Sequence, residues 1–121
     1  MRRIAVIDDD RNMRDLLRIH LSAIGLAVEV YEDASTGIRA ILETPPDLLV
    51  LDLMLPDLGG LEVLEALKGD PATKAIPVVA LTSRTDEDTY AQARRLGANA
   101  FLTKPIRRED LIENVLNLLY S

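Results

Sequence analysis

Residues 47–60 read D-L-L-V-L-D-L-M-L-P-D-L-G-G, with Asp52 at their centre. Leu48 to Leu51 is an unbroken apolar run, the pattern of a strand buried on both faces rather than one half exposed to water. A lone carboxylate has no place in the middle of such a run. Pro56, Asp57, Gly59 and Gly60 follow, which are loop and turn residues. Asp52 is therefore expected at the strand's carboxyl end, the edge of an α/β sheet where ligands bind. An Asp there could equally cap the next helix, so its meaning depends on what else gathers beside it.

Upstream, Ile4 to Ile7 is a short apolar strand running into Asp8, Asp9 and Asp10. Met13, Leu16, Leu17, His20, Leu21 and Ile24 then recur at helical spacing, and Gly25 stops the helix. His20 is the only histidine; with no partner motif it is read as a packed residue at the core's edge. Leu26 to Tyr31 alternates around Val28 and Val30 as an edge strand does. Asp33 caps a helix through Ile38, Ile41 and Leu42, which Pro45-Pro46 ends.

Downstream, Gly60 opens a third helix with Leu61, Leu64 and Leu67 inward, closed by Gly69-Asp70-Pro71. Pro77 introduces the strand Val78 to Leu81, which ends in Thr82-Ser83. A helix from about Asp86 to Leu96 is closed by Gly97. Ala100 to Thr103 is a fifth strand ending in Lys104-Pro105, and a last helix from about Arg108 carries Leu111, Val115, Leu118 and Leu119. Five strands alternating with five helices through short connections predict a doubly wound (βα)5 fold: a parallel sheet with helices on both faces. The expected strand order is the flavodoxin-like 2-1-3-4-5, which places the reversal between strands one and three.

Composition sets the outer limits. The 121 residues suit one domain, and 48% hydrophobic content is enough for a core, which must be aliphatic because aromatics are 3% and Trp is absent. The net charge of −6 argues against direct nucleic-acid binding by this domain. The lack of cysteine excludes disulfides, thiolate metal sites and cysteine catalysis. Met1-Arg2-Arg3 precedes an apolar run too short for a signal peptide, and no segment reaches membrane-spanning length. A soluble, cytoplasmic domain with no membrane association is expected.

Four predicted strands end in residues that a core does not need: Asp8-Asp9, Asp52, Thr82 and Lys104. In a parallel sheet these ends share one edge, the first two flanking the reversal. Three neighbouring carboxylates repel one another by a few kcal/mol per pair (order of magnitude, at an effective dielectric of about 20), so one must be protonated or a cation must neutralise them. Oxygen ligands without His or Cys point to Mg²⁺ or Mn²⁺. Such an ion keeps open positions suited to phosphoryl oxygens, and Lys104 and Thr82 offer a positive charge and a hydroxyl donor. With no P-loop and no Gly-rich nucleotide fingerprint, ATP or NAD is not the expected ligand. A carboxylate nucleophile that accepts phosphoryl fits best, and Asp52 is best placed for it.

These pieces, A-V-I-D-D-D, L-D-L-M-L-P-D-L-G-G, A-L-T-S and F-L-T-K-P, resemble in order and spacing the receiver domain of two-component response regulators across essentially the whole chain, residues 2–121. The resemblance implies that Asp52 takes a phosphoryl group from a sensor histidine kinase, a phosphotransfer protein or a small phosphodonor, and that a downstream effector protein or domain responds. It implies Mg²⁺ on Asp9, Asp52 and the Met54 carbonyl, with Asp8 acting largely through water. Thr82 and Lys104 would contact the phosphoryl group, and the peptide before Pro105 would be cis. Phe101 would be the switch aromatic, a position more often Tyr, on an output face of helix 4, strand 5 and helix 5. Met54 and Arg84 lack a carboxylate or amide to orient water, so self-dephosphorylation is expected to be slow and the chain is read as a signalling domain rather than an enzyme. Ala98-Asn99-Ala100, together with Glu113, Asn114 and Asn117 on the last helix, departs from the branch that dimerises through that face. The sequence stops at its fifth helix and is read as a stand-alone receiver or the first domain of a longer regulator.

Three other readings compete. A haloacid-dehalogenase-like phosphohydrolase needs a second Asp where Met54 stands. A flavodoxin-type electron carrier needs a Ser/Thr-Gly phosphate loop after strand one. A receiver-like interaction module that works without phosphorylation remains the alternative.

Overall fold

The structure is a computed structural model that describes residues 1–55, 59–83 and 87–120. Its elements alternate strictly: β1 (Arg3–Ile7), α1 (Arg11–Ser22), β2 (Ala27–Tyr31), α2 (Ala34–Glu43), β3 (Leu48–Asp52), α3 (Gly60–Lys68), β4 (Val78–Thr82), α4 (Glu87–Leu96), β5 (Ala100–Thr103) and α5 (Arg108–Leu119). The strands form one parallel sheet in the order β2-β1-β3-β4-β5, as the sequence predicts.

Alternation along each strand divides the core into two layers. Ala5, Ile7, Leu49, Leu51, Val78 and Ala80 face one way, against Ala34 and Ile41 of α2, Val63, Leu64 and Leu67 of α3, and Ala93 of α4. Ile4, Val6, Leu48, Val50, Val79 and Leu81 face the other way, against Leu17 and Leu21 of α1 and Leu111, Val115 and Leu119 of α5. A strand covered on both faces needs apolar residues at every position, which is why β3 and β4 read as continuous runs. At the edge, β2 shows its Glu29 to solvent.

The helix boundaries have local causes. Asp33 caps α2 by accepting from the Thr36 N–H at 2.8 Å. Gly25, beyond α1, takes φ +87°, and Gly97, beyond α4, takes φ +106°, left-handed conformations that suit a chain leaving a helix. Two expected core residues lie outside it. Leu16 and Leu42 are exposed, because the buried stripes centre on Leu17 and Leu21 and on Ala34, Gly37 and Ile41, a helical step of about 100° away. Leu26 is buried as expected, but it precedes β2 rather than joining it.

At the sheet's amino edge a polar knot fixes the ends of β4 and β5. Asn99 Oδ1 accepts from the Val78 N–H at 2.8 Å and from Lys68 Nζ at 3.3 Å, while Lys68 also donates to Ile76 O at 2.9 Å.

Candidate functional site

β1 and β3 are neighbours in register, Ile7 opposite Leu51, so the residues that follow, Asp8 and Asp52, emerge side by side. The same logic sets Asp52 beside Leu81 of β4, and Thr82 beside Thr103 of β5, one residue before Lys104. Gly60 completes the floor: a Cβ there would collide with the Leu53 Cα and the Asp52 carbonyl, so α3 starts directly against the backbone that carries Asp52.

Asp8 is 0% exposed and Asp52 1%, whereas Asp9 is exposed. One carboxylate oxygen from each of the three lies within 4.8 Å of the other two. Asp52 Oδ1 accepts from the Met54 N–H at 2.9 Å, and Oδ2 accepts from Lys104 Nζ at 3.2 Å. Asp8 Oδ1 accepts from the Asp10 N–H at 2.9 Å. Its other oxygen stands 3.6 Å from Lys104 Nζ, too far for a hydrogen bond. Among the described residues, Asp8 Oδ2 is the buried side-chain oxygen left without a hydrogen-bond partner.

Burial pushes the Asp8 carboxyl up to about 6; the Asp10 N–H and Lys104 oppose that rise and the adjacent Asp52 adds to it. Burial also works against the Lys104 ammonium, but Asp52 and Asp8 outweigh it and hold its pKa above the usual lysine value. At about 4.8 Å each ionised carboxylate pair costs roughly 3 kcal/mol at an effective dielectric near 20, and one ammonium cannot cancel three carboxylates. An oxygen-only donor set with an unpartnered buried oxygen has the chemistry of a hard divalent cation site.

The Thr82 side chain is buried, and its hydroxyl donates to Ser83 O at 3.0 Å, its own strand's continuation, rather than to Asp52. The Lys104–Pro105 peptide is cis. Phe101 is half-buried and packs on Tyr90 of α4, ring centroids 4.3 Å apart and planes tilted by 44°. His20 is half-buried on α1, outside this cluster. Pro56 and Asp57, expected in a loop, Arg84, expected over the phosphoryl group, and Asp86, expected to start α4, lie outside the described residues.

The sequence reading missed two contributors. Tyr90 is one of three tyrosines and stands on a mostly polar helix, so no pattern marks it as the partner of Phe101. Arg14 donates from Nη1 to the Asp8 carbonyl at 2.9 Å. A signal for it did exist: an arginine in the first turns of a helix opposes the helix dipole and calls for another reason to be there.

The family model for the response regulator receiver domain matches residues 4–116. The chain is 35% identical over 113 residues to the DNA-binding response regulator MtrA of Mycolicibacterium smegmatis, covering 93% of this chain and 48% of that protein. It is 37% identical over 109 residues to the transcriptional regulatory protein KdpE of Mycobacterium tuberculosis, covering 90% of this chain and 47% of that protein. It thus spans about half the length of the curated relatives it matches. Among solved structures it resembles the receiver domain of NtrX from Brucella abortus (TM-score 0.90, 32% identity, 98% of each chain). The fold is shared with the Vibrio cholerae chemotaxis protein CheY4 (TM-score 0.91, 24% identity, 98% of this chain and 99% of that one). With its five-stranded order, its acidic edge and a family match over nearly its whole length, the chain belongs to the response regulator receiver domain family.

Proposed function

We propose that this domain, residues 2–121, is a cytoplasmic signalling receiver whose Asp52 accepts a phosphoryl group from the phosphohistidine of a sensor kinase or phosphotransfer protein, or from a small phosphodonor. The observation that carries this reading is the setting of Asp52: a buried carboxylate within hydrogen-bond reach of Lys104 and clustered with Asp8 and Asp9. Asp9, Asp52 and the Met54 carbonyl would hold Mg²⁺ or Mn²⁺, with Asp8 acting through water. When bound, the ion supplies the charge that lets three carboxylates coexist and a Lewis acid for the phosphoryl oxygens.

The remaining chemistry falls to the chain. An Asp52 oxygen forms the new bond to phosphorus while the bond from phosphorus to the donor nitrogen or oxygen breaks, and the donor leaves with that electron pair. The Met54 N–H fixes one Asp52 oxygen. The Lys104 ammonium, already drawn to Asp52, is placed to neutralise the incoming phosphoryl charge. Nothing on the exposed Met54 side chain can orient an attacking water, so the acyl phosphate is expected to decay slowly.

Incubation with acetyl phosphate and Mg²⁺ should add about 80 Da, the mass of one phosphoryl group, and Asp52→Asn should abolish the adduct. An adduct of undiminished yield in that variant would refute the assignment. Loss of the adduct's mass after donor removal gives the decay rate.

The signal would leave through Thr82 and Phe101. The Thr82 hydroxyl, bonded in this structure to Ser83 O, would turn toward the phosphoryl oxygens and open space for the Phe101 ring. The face of α4, β5 and α5 would then be read by a downstream effector, with no nucleic acid or membrane bound by this domain. The shift can be no larger than the differential interaction energy that the phosphoryl group supplies. Thr82→Ala should therefore be phosphorylated yet leave the Phe101 ring in its unphosphorylated distribution. NMR of that ring with and without beryllofluoride tests this; equal reorientation in both proteins rules out the hydroxyl as the link.

A further inference from the structure

Arg14 lies one turn into α1, near the end of the helix that disfavours cations, and the first turn holds no acidic side chain. Its N–H makes the first bond of the helix to Asp10 O at 2.9 Å, while its guanidinium folds back to the Asp8 carbonyl, also at 2.9 Å. Asp8 is the point where the sheet lets go of the chain: its N–H bonds Tyr31 O at 3.1 Å, one residue beyond the end of β1. Its carboxylate is then tied to the Asp10 N–H, and Asp10 caps α1 by accepting from the Asn12 N–H.

The Asp8 carbonyl and the Asp9 N–H share one rigid peptide plane. A donor that fixes the carbonyl oxygen fixes the plane, and with it the direction in which the Asp9 side chain leaves the backbone. Asp9 is the exposed member of the trio, with the least packing to aim it. We infer that Arg14 is a positioning residue for the acidic site: through the Asp8 carbonyl it sets the Asp8–Asp9 peptide so that the carboxylates stand preformed for a divalent cation.

This inference rests on reading the trio as a metal site, and calorimetric titration of Mg²⁺ into the unphosphorylated domain separates the two. Partners of this indirect kind typically change metal affinity by one to two orders of magnitude, so Arg14→Ala should weaken Mg²⁺ binding roughly tenfold. Arg14→Lys, which keeps the charge and one donor within reach of the carbonyl, should restore most of it. Far-UV circular dichroism at the titration temperature keeps the comparison to folded protein. The phosphorylation rate of Arg14→Ala with acetyl phosphate should recover at saturating Mg²⁺, whereas a general loss of structure would not be rescued. Tighter Mg²⁺ binding in Arg14→Ala would show that the guanidinium acts only as a competing charge, and unchanged affinity would show that it only stabilises the loop. Either result overturns the inference and leaves the metal site standing. A wild-type domain that binds no Mg²⁺ overturns both.

Discussion

Replacing Asp8 with asparagine is expected to make the metal-free domain more stable at neutral pH and, at the same time, to remove most of its response to Mg²⁺. Asp8 is fully buried, one of its oxygens has no hydrogen-bond partner, and burial raises its carboxyl from the ordinary 3.8 to about 6. A carboxyl whose folded pKa is raised binds its proton more tightly in the native state than in the unfolded one. Its favourable contribution is then fully present below pH 3.8 and is lost as the pH climbs through 6. Above that window wild type carries an ionised, poorly solvated Asp8 and the Asp8→Asn variant does not. The gain should be on the order of 3 kcal/mol, several degrees of melting temperature for a domain of this size. Below pH 3.8 it should vanish, because wild-type Asp8 is then neutral as well. Added Mg²⁺ should reverse the order by stabilising wild type through binding. Thermal melts across pH, with and without Mg²⁺, check all three statements. A variant less stable than wild type at pH 8 without metal would mean that the buried carboxylate is better compensated than its surroundings imply.

Gly60→Ala is expected to cost about 2–3 kcal/mol and to disturb phosphorylation, although Gly60 has no side chain to bring to the chemistry. The added Cβ would meet the Leu53 Cα and the Asp52 carbonyl, both backbone, so relief requires α3 to retreat or the end of β3 to shift. Moving α3 strips contacts from the buried Val63, Leu64 and Leu67; moving β3 displaces Asp52 from Lys104. Gly59→Ala is the natural control, since the atoms nearest its Cβ belong to the Glu62 side chain, which can shift at the cost of its hydrogen bond from the Gly59 N–H. Chemical denaturation should show a large loss for Gly60→Ala and a small one for Gly59→Ala. Phosphorylation by acetyl phosphate should slow in the former alone. Equal behaviour of the two would show that α3 slides without cost.

The sequence dictates the architecture, because its strongest signals are periodic and local. Uninterrupted apolar runs such as Leu48 to Leu51 are stable only between two covering layers, and a covered parallel sheet of five βα units leaves few ways to wind. It also determined the gathering of Asp8, Asp9, Asp52, Thr82 and Lys104 on one edge, since parallel strands all end on the same side. Sequence marked Asp52 as the candidate nucleophile but did not show which of Asp8 and Asp9 is buried. Charge repulsion alone makes Asp8 and Asp9 equivalent. Only packing in three dimensions buries the first and exposes the second, so the cost of desolvating a carboxylate falls on Asp8. Burial depends on what the other elements cover, and that depends on residues distant in the chain. For the same reason Tyr90 against Phe101, the knot of Lys68 with Asn99, and Gly60 against Asp52 became legible only in three dimensions. Each is a contact between segments that no period in the sequence connects. Arg14 lies between the two cases: its awkward place at a helix start is written in the sequence, but the carbonyl that repays it is found only where β1 ends and α1 begins.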